Sequence, residues 1–244
     1  MVAIAQGTKA NEINAVLEKI PSRTRAAVTE VTLDMAETME AIVRRSFPNA
    51  ALVTDRFHAQ QLVSEAVQEM RITLRRDAIQ EENDAIIQAR KEKTVYRPTV
   101  FANGDTKKQL LARSRYVLFM PESKWSAQQH ERAVLLFQKY PVLKSAYHLA
   151  MQFRSCYEQS QTIREGREAL RKWYAKVEEM DVAPFFTVAE SIRLHETTVL
   201  NYFLNRSTNA SAESFNAKLK NFRAVVRGVR DRTFHLFRIA KLYG

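Results

Sequence analysis

The chain has 244 residues, 45% of them apolar, which is enough for one large domain or two small ones, and its longest apolar runs are too short to span a membrane. A single cysteine, Cys156, excludes an intrachain disulfide and fits a reducing cytoplasm. The net charge is +11, and the stretch from Leu204 to Gly244, with nine basic and two acidic side chains, supplies +7 of it, a clustering that points to a polyanionic partner.

Val2-Ala3-Ile4-Ala5 reads as a strand, with Gly7-Thr8 as its turn. Ala10 to Ile20 has helical spacing, and Pro21-Ser22 closes it. Val28, Val31 and Leu33 form a short strand-like run that ends on Asp34. Met35 to Phe47 is a helix with Met35, Met39, Ile42, Val43 and Phe47 on one stripe, stopped by Pro48-Asn49. Ala50 to Val53 is a further strand, ending on Thr54-Asp55-Arg56-Phe57-His58. Alternation of strand and helix predicts a sheet covered by helices. An acid at the C-terminal end of a strand is where open α/β sheets place ligand chemistry, and here it occurs twice. Asp34 can equally be a helix cap, since Asp is favoured there.

Beyond His58 the spacing predicts helices only: Ala59 to about Lys93, Lys107 to Phe119, Ser126 to Tyr140, Val142 to Gln159, Thr162 to Met180 and Phe185 to Leu204, with a loop over Thr94 to Asp105. A polar turn from Asn205 to Ser211 then leads into a basic helix, about Ala212 to Val226. Its apolar stripe is Phe215, Leu219, Phe222 and Val226. Asp231 can cap a last helix, Thr233 to Tyr243. The fold class is α/β plus a large α-helical part, mostly helical overall. Three segments follow: 1–60 α/β, 61–204 all-helical, either a second domain or a helical insertion in one sheet, and 205–244 basic helices.

Five scattered glycines allow no phosphate-cradling loop and no dinucleotide fingerprint. His195-Glu196 lacks the second histidine of a zinc protease helix, and one cysteine makes a zinc cluster unfavourable. Cys156, Trp125 and Trp173 read as packing residues. Glu213 is the only acid in the first basic helix. It either complements the helix dipole or holds a metal among cations that face phosphates.

Leu33-Asp34-Met35, then Phe47-Pro48-Asn49-Ala50 with Asp55-Arg56-Phe57-His58, then Asn205 to Lys218 with Arg227-Gly228-Val229-Arg230, stand in one chain. This combination resembles the bacterial insertion-sequence transposases with a DDE-type, RNase H-like catalytic domain interrupted by helices. Arg113-Ser114-Arg115-Tyr116 and Leu200-Asn201-Tyr202-Phe203 extend the resemblance across the chain. It implies a metal-dependent enzyme of DNA strand cleavage and strand transfer, using Mg²⁺ or Mn²⁺ held by carboxylates. Asp34 would be the second carboxylate and Glu213 the third, with Asp55 and His58 in support. The rival assignment takes Asp55 as the second carboxylate and Asp34 as a cap; the order of strands and helices favours Asp34.

Arg206, Lys218, Lys220, Arg223, Arg227 and Arg230 would hold double-stranded DNA of transposon ends and target. The resemblance further implies a homo-oligomer in the full-length enzyme, no membrane association, and a cytoplasmic, nucleoid-associated location. Before Asp34 the only acids are Glu12, Glu18 and Glu30, none at a strand end. The family's first carboxylate and first two strands are therefore expected to lie outside this chain, leaving a partial sheet and a chain inactive alone. The alternative is a non-catalytic DNA-binding or oligomerisation remnant.

Overall fold

The structure is a computed structural model that describes residues 9–226 and 231–243, apart from the side chains of Ser211, Glu213 and Arg232. The strand expected at Val2–Ala5 and the residues Arg227 and Arg230 lie outside the described residues. The chain divides into two compact units, Met1–His58 with His195–Gly244, and Ala59–Leu194.

The first unit opens with α1 (Ala10–Leu17) and a short helix, α2 (Ser22–Ala26). Pro21, expected only to end a helix, also starts one, as its fixed φ suits a helix entry. Then come β1 (Glu30–Leu33), α3 (Glu37–Ser46) and β2 (Ala51–Thr54). β1 and β2 pair in parallel, Glu30 against Ala51 through Leu33 against Thr54, with α3 as the crossover. Ile42 and Val43 of α3 are buried, as are Leu52 and Val53 of β2. Arg25 ties the early helices to the end of α3, donating to the carbonyls of Ile20 at 3.1 Å and Ser46 at 3.0 Å.

α4 (Arg56–Lys91) starts in the first unit and continues into the second, where α5 (Lys107–Arg113), α6 (Ala127–Lys139), α7 (Pro141–Gln159), α8 (Ile163–Met180) and α9 (Ala183–Leu194) follow. No strand occurs here among the described residues, in line with the helical reading. Lys107 to Phe119 is not one helix: α5 stops at Arg113, and a 3-10 turn covers Val117–Phe119. The Ser114 hydroxyl donates back to the Leu110 carbonyl at 2.7 Å, competing with the backbone ladder where the helix ends. Ser126 caps α6, accepting from the Gln129 amide at 3.3 Å, and Pro141 occupies the first turn of α7.

The core of this unit is largely aliphatic, with an aromatic cluster within it. Phe153 packs on Trp173 with ring centroids 4.9 Å apart, and the Trp173 indole donates to the Leu149 carbonyl at 3.0 Å. Trp173 is thus spent on packing, as its helical spacing implies. Cys156 is buried, and burial pushes its thiol up to about 12. At pH 8 its thiolate should be about three orders of magnitude scarcer than in the unfolded chain. A thiol reagent is therefore expected to label it only after denaturation, and fast labelling of the native protein would contradict this packing.

The loop before α5 turns on Asn103-Gly104, with Gly104 at φ +81°, and closes on buried Asp105. The Asp105 carboxylate receives Arg113, Arg132 (3.4 Å) and the Asn103 side chain (3.0 Å). Asp105→Ala strips three donors of their shared acceptor and should cost about 2–4 kcal/mol, read by denaturant unfolding.

The chain re-enters the first unit through α10 (Glu196–Leu200) and α11 (Tyr202–Asn205), then α12 (Ala210–Val225) and α13 (Arg232–Tyr243). The single helix predicted over Phe185 to Leu204 is therefore three. It breaks where short polar side chains leave the helix surface for β2. Thr198 accepts from the Thr54 hydroxyl at 2.7 Å while donating to the His195 carbonyl at 2.9 Å, and Asn201 donates to the Leu52 carbonyl at 2.8 Å. Asn201 thus satisfies a backbone acceptor of β2 that no strand among the described residues takes up.

Candidate functional site

Parallel pairing brings the ends of β1 and β2 together, so the residues that follow them, Asp34 and Asp55, leave the sheet at the same end. The Asp55 amide donates to the Leu33 carbonyl at 2.9 Å, extending the ladder one step. From there the two aspartates differ. The Asp55 side chain is 0% exposed. Its Oδ1 accepts the Phe57 amide at 2.6 Å, and its Oδ2 accepts the Asn209 amide at 2.8 Å. Each carboxylate oxygen is thereby engaged by a backbone donor. His58 Nδ1 lies 3.9 Å from Asp55 Oδ1 and is buried with no hydrogen-bond partner among the described residues. The supporting pair expected from sequence is adjacent in space.

Asp34 is exposed. Its Oδ1 accepts the Ala36 amide at 3.3 Å, a long contact, and its Oδ2 makes no hydrogen bond with the described residues. Ala36, not Asp34, holds the N-cap position of α3, and no side chain caps it there. The capping role that composition allows for Asp34 is not the one it plays. It lies two residues short of the helix cap.

Asn209 connects this sheet end to α12. Its amide sits on Asp55, and α12 begins at the next residue, so the first turn, which includes Glu213, starts from the anchored point. The Glu213 side chain itself lies outside the described residues. Further tethers hold the same segment: Asn205 donates to Glu30 at 2.7 Å, and Arg56 donates to the Tyr202 hydroxyl at 3.2 Å. Thr198 carries no sequence signal of its own, and Thr54, Asn201 and Asn205 stand in quoted motifs without a role assigned to them. The available signal was polar residues 198, 201 and 205, at helical spacing along an otherwise apolar stretch.

α12 carries the basic face. Phe215, Leu219, Phe222 and Val226 form its half-buried stripe, as their spacing predicts. Phe215 meets Tyr243 of α13 edge-on at 5.6 Å, Phe222 stacks on His235 at 5.5 Å, and the Arg238 guanidinium lies over the Phe222 ring. Lys218, Lys220 and Arg223 point away and are exposed. Arg206 is exposed where α11 ends, at φ +55°. Asp231 caps α13 as expected, accepting from the Phe234 amide at 3.1 Å.

A family model described as a transposase, of the ISL3-type DDE group, matches residues 1–239. The chain belongs to the DDE transposases of insertion sequences. No curated protein and no solved structure matches it. Transposases bind and cleave DNA, and those of the DDE type in general work with a divalent metal. Whether the residues here suit a metal is a matter of available oxygens. Asp55 is the less available of the two: it is fully buried, and each of its oxygens already accepts a backbone amide. Asp34 suits one: it is a hard oxygen donor, open to solvent. Among the described residues no three His, Cys, Asp or Glu side chains are grouped to hold a metal, and no helix is long and apolar enough to cross a membrane.

Proposed function

We propose that this transposase performs metal-dependent DNA strand cleavage and strand transfer, with Asp34 and Glu213 as metal-holding carboxylates and Mg²⁺ or Mn²⁺ as the cofactor. The observation that carries the reading is the division of labour between the two strand-end aspartates. Asp55 is buried and ties the Phe57 and Asn209 amides, and Asp34, at the end of the neighbouring strand, is exposed. In this reading β1, α3 and β2 are part of an RNase H-like sheet, and residues 61–204 are its helical insertion. Bound metal would activate the attacking oxygen and stabilise the leaving one at phosphorus.

The chain's own residues do the positioning. Asp55 fastens the loop before α12 to the sheet end, and with it the first turn that carries Glu213. Asp34 offers its outer oxygen from the neighbouring strand. Lys218, Lys220, Arg223 and Arg206 hold DNA phosphates, joined by Arg227 and Arg230, at cytoplasmic DNA and in a homo-oligomeric assembly. The test is Mn²⁺-dependent nicking of transposon-end DNA by the protein and by Glu213→Ala. Where the family's first carboxylate is supplied, nicking is expected to disappear with Glu213. Nicking that survives the substitution would remove Glu213 from the metal site, and salt-sensitive binding without any nicking would favour a DNA-binding role without catalysis.

A further inference from the structure

Arg56 is the first residue of α4 and follows Asp55 directly, at the end of the sheet where Asp34 also leaves it. Its guanidinium is fixed by two kinds of contact. Nη1 donates to the Tyr202 hydroxyl at 3.2 Å. The group also lies over two rings, with Cζ 4.9 Å from the Phe57 centroid and 5.8 Å from that of Tyr202. These rings differ in their surroundings: Tyr202 is 3% exposed, and Phe57 is 43% exposed. Phe57 is itself anchored, because its amide donates to Asp55 Oδ1 at 2.6 Å. A half-buried cation is thus held on a buried ring and a surface ring.

What fixes the guanidinium does not balance its charge. Among the described residues no carboxylate pairs with Arg56. Nε is buried and has no hydrogen-bond partner among them. Nη2 makes no hydrogen bond with them either, and it is not buried. His58 Nδ1, the other unpartnered nitrogen of this turn, lies 3.9 Å from a carboxylate, whereas Arg56 has none so close. The first turn of a helix also disfavours a cation, since the backbone dipole there favours an anion.

A tie between α4 and α11 explains the bond to Tyr202, but one neutral donor would serve for that. It does not explain a full charge, or a guanidinium edge, Nε with Nη2, that lacks an acceptor. That edge is the planar fork that matches two oxygens of a phosphate.

We propose that Arg56 binds a backbone phosphate of DNA at the strand ends of the sheet, through Nη2 with Nε as the second donor of the fork. Tyr202 and Phe57 set the plane of the group, so little side-chain freedom is lost when the phosphate arrives. The inference rests on this sheet end being where the enzyme meets DNA. It does not rest on which acids hold the metal.

The test measures binding of a labelled DNA duplex by the full chain across a salt series, by fluorescence anisotropy in EDTA. Three variants are compared with wild type. Arg56→Gln keeps a donor and removes the charge, Arg56→Lys keeps the charge, and Tyr202→Phe keeps the ring and removes the tie. Arg56→Gln is expected to lower the slope of log affinity against log salt by about one, and Arg56→Lys to keep the slope. Tyr202→Phe should keep it even where its melting temperature falls.

An unchanged slope in Arg56→Gln would overturn the proposal. So would equal losses of slope and melting temperature in Arg56→Gln and Tyr202→Phe, the pattern of a purely structural tie. A lysine variant that loses as much slope as the glutamine one would overturn it too, because the loss would not be one of charge. A further arm adds inorganic phosphate at constant ionic strength. Stabilisation of wild type by phosphate, with the DNA slope of Arg56→Gln unchanged, would assign the group to a small anion instead. Nicking that survives Glu213→Ala leaves this slope untouched, so the metal assignment and the Arg56 assignment fail separately.

Discussion

Asp55→Ala is expected to destabilise the sheet-bearing unit by about 3–6 kcal/mol, because two hydrogen bonds to a charged acceptor are each worth roughly 1.5–3. The carboxylate is fully buried, and both oxygens are engaged, by Phe57 and Asn209. Asp55→Asn keeps one acceptor but turns an NH₂ group toward the other amide, so it should cost about half as much. Hydrogen exchange reads the effect locally. The Phe57 and Asn209 amides should be protected in the wild type and exchange far faster in the alanine variant. Since Asn209 is the residue before α12, the basic helix should loosen with it. Slow exchange at both amides in Asp55→Ala would show that other contacts hold the loop.

Asp34→Ala should do the opposite. Asp34 is exposed and its one hydrogen bond is 3.3 Å long, so stability should stay within about 0.5 kcal/mol of the wild type. Metal-dependent cleavage, however, should fall by at least about a hundredfold, since a metal ligand supports several kcal/mol of transition-state stabilisation and each 1.36 kcal/mol is a factor of ten. Asp34→Asn should fail equally, because it keeps the shape and removes the charge that binds the cation. Asp55 variants also lose cleavage in this account, through the fold. The two aspartates are therefore distinguished by stability, not by activity.

Much of this was legible in the sequence because it rests on local patterns. The β1-α3-β2 unit follows from two short β-branched or apolar runs around a 3.6-period stripe. The half-buried face of α12 follows from Phe215, Leu219, Phe222 and Val226, and the caps at Ser126 and Asp231 from their chemistry. The order of elements favours Asp34 over Asp55 as the metal-holding acid, but the different surroundings of these two strand-end acids were not legible. What separates them is a hydrogen bond from Asn209, a contact across more than 150 residues that no local pattern records. The same holds for the broken helix at His195 to Asn205. Its spacing is helical, and only the docking of Thr198 and Asn201 on β2 shows why it must interrupt.

The most direct measurement uses iron(II) in place of Mg²⁺, with ascorbate and peroxide, so that radicals formed at the bound metal cut the polypeptide nearby. Cuts are expected in two places, around Asp34 and around Glu213, and both should vanish in Asp34→Ala while its melting temperature is unchanged. Cuts that persist in Asp34→Ala, or that fall at neither position, would contradict the assignment of Asp34 and Glu213 as the metal-holding carboxylates.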